Sequence, residues 1–217
     1  MKILLIAGHG QGDSGAVANG YKEAELTREF VKLLKPQLDN YADVTIADTT
    51  KNWYKNSMDF SPYDYVLEIH FNAVKTEAQA DGQTKGTEIY ITTSEKTYGV
   101  ETEIVKSISS IGFKNRGVKR KNWAVISRAK SQSVSSALLE VCFIDDIDDM
   151  KLYQANKNEV IRAVANGIVK GFSLYQLQDD NISIIKEKIG LEQQTIEYLQ
   201  AYKYGKELIE KIANAVK

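Results

Sequence analysis

Three short apolar runs, each stopping at a residue able to do chemistry, constrain this chain more than any other feature. Ile3-Leu4-Leu5-Ile6-Ala7 runs into Gly8 and His9, Tyr65 to Ile69 into His70, and Ser136 to Leu139 into Glu140. Runs this short, rich in branched and aliphatic residues, read as buried strands. Between them lies helical patterning. Leu26, Phe30, Leu33 and Leu34 share one face of a helix predicted over Glu23 to Leu38. Glu23 and Glu25 suit its positive end, and Pro36 should close or kink it near its end. Strands alternating with helices predict an α/β fold, a central and mostly parallel sheet flanked by helices.

The remaining elements follow the same logic. Asp43 to Ala47 reads as a strand, and Gly86 to Thr93 alternates as a half-buried strand does. Tyr98 to Ile111 reads as a helix, with Val100, Ile104, Val105 and Ile108 inward. Lys114, Arg116, Lys119, Arg120 and Lys121 mark a basic loop, followed by a short strand over Trp123 to Ile126. An acidic turn through Asp145, Asp146, Asp148 and Asp149 precedes a helix from about Asn158 to Leu174. Residues 1–175 are therefore expected to form one domain. Gln178-Asp179-Asp180-Asn181 reads as a linker to a small helical module over 182–217, broken at Gly190 and Gly205. A piece that short rarely folds alone, so it should dock, self-associate, or both.

Composition removes several function classes. The 28 basic and 29 acidic residues nearly cancel, so no bulk charge draws the chain to nucleic acid. The single cysteine, Cys142, excludes an internal disulfide and a Cys-rich zinc finger. No apolar run approaches the roughly 20 residues of a membrane span. The first apolar run is also too short for a signal-peptide core, so synthesis in the cytoplasm is expected.

The chain has only two histidines, and each follows a predicted strand, as Glu140 does. In an open parallel sheet the carboxyl ends of strands line one crevice. Glu23, opening the first helix after a glycine-rich loop, can reach the same edge. Two imidazoles and a carboxylate suit one catalytic zinc ion, and a further carboxylate can handle the proton of its water. Glu25 competes with Glu23 as ligand. Each residue also has a plainer reading: surface polarity for His9 and His70, helix-end charge for Glu23. Glu140 is harder to dismiss, because an unpaired carboxylate among apolar residues is costly to bury. Gly8, Gly10, Gly12 and Gly15 do not make G-x-G-x-x-G followed at once by a helix, and a histidine sits among them, which excludes a dinucleotide site.

Three motifs carry a resemblance. Gly8-His9-Gly10, Asp13-Ser14-Gly15-Ala16 and Gly20-Tyr21-Lys22-Glu23 form the first; Ile69-His70-Phe71-Asn72-Ala73 is the second; Leu139-Glu140-Val141-Cys142-Phe143-Ile144 is the third. In this order they resemble the zinc-dependent N-acetylmuramoyl-L-alanine amidases of the Amidase_3 type, over roughly residues 1 to 172. The resemblance implies one Zn2+ ion and hydrolysis of the amide between N-acetylmuramic acid and L-alanine in peptidoglycan. By position it implies His9, Glu23 and His70 as ligands and Glu140 as the catalytic carboxylate. Ser14 and Cys142 depart from the pattern, where proline and glycine are usual.

The same resemblance offers Asn72 for substrate positioning. The basic loop, Arg116 included, reads either as solvated surface or as a contact for an anionic wall or stem-peptide carboxylates. Trp53, Tyr54 and Trp123 suit packing or sugar stacking. The expected partner is bacterial peptidoglycan, reached after release from the cytoplasm as a phage endolysin does. The 182–217 module would bind wall or hold a homo-oligomer together. A zinc peptidase and a non-catalytic wall-binding protein are the alternatives.

Overall fold

In the computed structural model of the chain, the described residues are 1–74, 81–174, 180–202 and 204–216. The first run forms β1 (Lys2–Ala7), in which Ile3, Leu4, Leu5 and Ile6 have no exposed surface. The glycine-rich segment after it contains a two-residue ribbon, β2 (Val17–Ala18) against β3 (Tyr21–Lys22). Then come α1 (Glu23–Leu38), β4 (Asp43–Ile46), β5 (Tyr65–Asn72), β6 (Thr87–Ile91) and α2 (Gly99–Ser109). After these come β7 (Asn115–Arg120), α3 (Ala124–Ser131), β8 (Ser135–Phe143) and α4 (Ile147–Gly171). The last elements are α5 (Asp180–Ile189), α6 (Gln193–Ala201) and α7 (Gly205–Val216).

The six-stranded sheet has the order β4-β1-β5-β8-β6-β7. Its first four strands are parallel; β6 runs antiparallel to β8 and carries β7 parallel to itself at the edge. Alternation along β1 splits the core in two. Ile3 and Leu5 join the cluster built with Phe30 and Leu34 of α1, Ile104 of α2 and Val164 of α4. Leu4 and Ile6 face the other way, toward Val125 and Ala129 of α3, Trp53 and Phe60. On α4, Gly167 and Gly171 let α2 come close, since a Cβ at either would lie 2.6 Å and 2.5 Å from the Cα atoms of Ile104 and Val100.

Several expectations need correction. The basic stretch is the edge strand β7 rather than a loop, and the strand expected at Trp123–Ile126 is the start of α3. The Gly86–Thr93 strand is not half-buried: Thr87, Glu88, Ile89 and Ile91 are all buried. α1, by contrast, keeps its expected bounds, Glu23–Leu38, and ends two residues after Pro36. The helix expected from Asn158 begins at Ile147, capped by Asp146, whose carboxylate accepts from Asp149 N at 2.9 Å. Asn156, with φ −124°, interrupts its helical backbone, which is why the sequence pattern restarts near there. Of the expected linker, Gln178 and Asp179 lie outside the described residues; Asp180 and Asn181 belong to α5. α5, α6 and α7 share a small cluster of their own, Ile182, Ile185, Ile196, Ile209 and Ala213. Among the described residues no helix is long and apolar enough to cross a membrane.

Candidate metal centre and cleft

His9 stands two residues beyond β1, where Gly8 N donates to Ile69 O at 2.9 Å and ties the end of β1 to β5. Its backbone is left-handed, φ 61°, a conformation that non-glycine residues seldom adopt. Glu23 opens α1, and Thr27 one turn later donates to Gly8 O at 2.8 Å, holding the helix start against the same corner. His70 and Glu140 lie inside β5 and β8, not beyond their ends as the sequence suggested. They are register partners on adjacent strands and so share one side of the sheet. The pairing then slips by one residue, Asn72 opposite Phe143, beside the buried Cys142.

These elements bring four residues together. His9 Nε2 lies 2.9 Å from Glu23 Oε2, and His70 Nδ1 lies 2.9 Å from Glu23 Oε1. The two rings meet edge to face with centroids 4.9 Å apart. Glu23 is further fixed by Ala16 N on Oε2 and Phe71 N on Oε1, each donating at 3.0 Å. Candidate ligand atoms from His9, Glu23 and His70 all lie within 4.8 Å of one another. Two imidazole nitrogens and a carboxylate oxygen at that spacing form a donor set suited to a divalent metal. Glu25, the competing ligand, is instead exposed and paired with Lys22 at 3.0 Å.

Burial works to raise the Glu23 carboxyl, but the hydrogen bonds and charges of His70 and His9 outweigh it and hold it well below the carboxylate range. Burial pulls the other way on His70, yet Glu23 and Glu68 keep its imidazole well above its ordinary value. Glu140 behaves oppositely to Glu23. Burial, with Glu23, Glu88 and Glu68 adding to it against the opposing charge of His70, pushes its carboxyl up to about 8. Its Oε2 is enclosed and, among the described residues, has no hydrogen-bond partner. A carboxyl titrating this near neutrality can both take up a proton and give it back.

The four residues line a cavity of about 430 Å³ together with Asp13, Glu68, Asn72, Trp53, Tyr54, Trp123 and Leu138. A cavity of that volume falls within the range of small-ligand sites.

The Amidase_3 family, N-acetylmuramoyl-L-alanine amidase, matches residues 3–170. The chain belongs to that family. It is 29% identical over 191 residues to N-acetylmuramoyl-L-alanine amidase CwlM of Bacillus licheniformis, covering 80% of this chain and 70% of that one. It is 28% identical over 184 residues to the endolysin of Bacillus phage SPP1, covering 79% and 64%. Among solved structures it resembles amidase AmiC2 of Nostoc punctiforme, with TM-score 0.64, 20% identity and coverage of 79% and 97%. The N-acetylmuramoyl-L-alanine amidase from Clostridium difficile 630 gives TM-score 0.62, 20% identity and coverage of 79% and 94%.

Within this amidase fold the two expected substrate contacts are placed differently. Asn72 lines the cleft; its Nδ2 donates to Glu88 Oε1 at 2.9 Å, while its Oδ1 accepts from Ala73 N. Arg116 is not among the cleft-lining residues. Its guanidinium and the Lys119 ammonium both donate to Glu88 Oε2, and the Tyr90 hydroxyl donates to Oε1 at 2.8 Å. Burial tends to raise Glu88, but Lys119 and Arg116 outweigh it and lower its carboxyl. Among the described residues, Arg116 is linked to the cleft through Glu88 and Asn72. Trp53 is buried, its indole N–H donating to Asp48 O at 3.0 Å, so packing is its main role.

Sequence reasoning missed Glu68, Glu88 and the part played by Asp13. Asp13 accepts from His9 Nδ1, Asn52 Nδ2 and Gly15 N, each at 3.0 Å. The available signal was a carboxylate inside a predicted strand, at positions 68 and 88, where burial demands a partner.

Proposed function

We propose that the chain hydrolyses the amide joining N-acetylmuramic acid to L-alanine in bacterial peptidoglycan, with one zinc ion held by His9, Glu23 and His70. The observation carrying this reading is the convergence of His9 Nε2 and His70 Nδ1 on the two oxygens of Glu23, with Glu140 on the next strand. When bound, zinc would supply the Lewis acidity that lets water attack an amide near neutral pH. The chain's own residues do the rest. Glu140 takes the proton of the attacking water and returns it to the departing L-alanine nitrogen, so that the C–N bond breaks to an acid and an amine. Asn72 orients the substrate, held in place by the Glu88 cluster. Trp53 and Leu138 wall the cleft and limit bulk water around the reacting groups. Release as a lytic phage enzyme, and wall attachment or self-association through 182–217, belong to the same proposal. Support comes from the similarity to a phage endolysin and from the separate α5–α7 cluster.

The test is digestion of purified peptidoglycan by the zinc-loaded chain, with the new ends identified. New L-alanine amino termini are expected; new D-alanine ends or reducing sugars would refute the assignment. Glu140→Gln should still bind zinc while losing about 10²-fold or more in rate.

A further inference from the structure

The geometry points to Glu68 as a positioning residue for the metal site, its carboxylate accepting the outer N–H of His70 and thereby turning Nδ1 toward the ion. This rests on the metal reading proposed above and extends it to a residue outside the ligand set. Glu68 and His70 are two apart on β5, so both project from the same side of the sheet. Glu68 Oε1 lies 3.2 Å from His70 Nε2, while His70 Nδ1 faces Glu23 Oε1 at 2.9 Å. The two ring nitrogens thus have separate jobs.

A second observation fixes which nitrogen is the outer one. Gly8 backs the ring so tightly that a Cβ there would lie 2.5 Å from His70 Cε1 and Nε2. The Nε2 edge is therefore packed between Gly8 and Glu68. The surroundings of Glu68 explain why the pairing holds. Its register neighbours are Ile6 on β1 and Leu138 on β8, and only 6% of Glu68 is exposed. A carboxylate between two aliphatic side chains is costly without a partner, and the His70 ring supplies one. His9 has a corresponding arrangement, with Asp13 on its Nδ1 at 3.0 Å and Nε2 facing Glu23. Outer carboxylates of this kind set the tautomer of a ligand histidine and raise its basicity.

The experiment uses the full chain and zinc alone. With only two histidines in the sequence, ¹⁵N spectra of labelled protein resolve each imidazole. In the zinc-loaded native chain His70 should carry its proton on Nε2; a proton on Nδ1 would overturn the inference. Chelator competition should show zinc affinity reduced about 10- to 100-fold in Glu68→Leu. Glu68→Gln, which keeps an acceptor oxygen and nearly the same volume, should recover most of that loss and keep the tautomer. Native-like affinity and tautomer in a folded Glu68→Leu would also overturn it. None of these readouts involves peptidoglycan, so failure of the amidase assignment shows up separately, in the digestion products.

Discussion

Gly15 shows how tightly single residues constrain the candidate metal corner. Its φ is +62°, and a Cβ there would lie 2.6 Å from His9 Cδ2 and 2.7 Å from Glu23 Oε2. Gly15→Ala therefore meets two penalties, a left-handed backbone costing roughly 1–2 kcal/mol and a collision with two of the proposed ligand residues. The expected result is a zinc affinity at least about tenfold weaker in chelator competition, the ligands being forced apart. An alanine variant binding zinc as the native chain does would show that the corner yields freely. At this scale the sequence was most legible where chemistry is scarce. With two histidines in the chain, His9 and His70 could hardly be overlooked, and Glu140 stood out against its apolar neighbours. Glu68 did not, because the Tyr65–Ile69 run was read for its apolar pattern. The meaning of its carboxylate depends on a ring two residues away that only the strand geometry aligns.

Among elements, α3 borders the cleft through Ala124 and Val125, although its sequence did not announce a helix. Arg128 on α3 donates through Nη2 to Trp53 O at 2.9 Å and Tyr54 O at 2.8 Å, and through Nη1 to Asn56 O. The helix thereby fastens the loop that carries two cleft-lining aromatics. Arg128→Ala should cost about 1–3 kcal/mol in denaturant unfolding. It should also raise KM on soluble wall fragments severalfold, with zinc affinity unchanged. Arg128→Lys should restore little, because one ammonium cannot span three carbonyls. Unaltered KM would mean the loop holds its position without the clamp. The sequence misled here because Trp123, Val125 and Ile126 are β-formers in isolation, yet Val125, Ile126 and Ala129 are buried against the sheet as a helix face. β7 was hidden by the opposite bias. Its cations suggested solvent, whereas pairing with β6 and the shared carboxylate of Glu88 make it the closing strand.

For the molecule as a whole, Asp149 at the start of α4 joins distant segments. Its carboxylate accepts from Phe143 N at 2.8 Å and from Gly86 N at 3.1 and 3.2 Å, tying α4 to the end of β8 and the entry to β6. Burial, only partly offset by those backbone donors, pushes its carboxyl up to about 7 from an ordinary 3.8. The folded state therefore binds this proton more tightly than the unfolded chain. The stability that Asp149 contributes must then fall as pH rises from about 4 to about 7 and level off above that. The effect is on the order of 1 kcal/mol per pH unit. Urea unfolding at pH 4.5 and 7.5 checks the sign: the difference in stability between the native chain and Asp149→Asn should move against the native chain at the higher pH. A constant difference would place the carboxyl near its ordinary value.

What the sequence determined alone was the alternation of buried strands and amphipathic helices, the bounds of α1, the end of β1, and the identity of four chemically able residues. Those are local properties, written in periodicity and in the scarcity of histidine. Tertiary structure decided the rest: that β6 enters against the direction of β8, and that His70 and Glu140 sit side by side within strands. Each depends on which strands become neighbours and in what register, and a neighbour across a sheet leaves no mark at a fixed spacing along the chain.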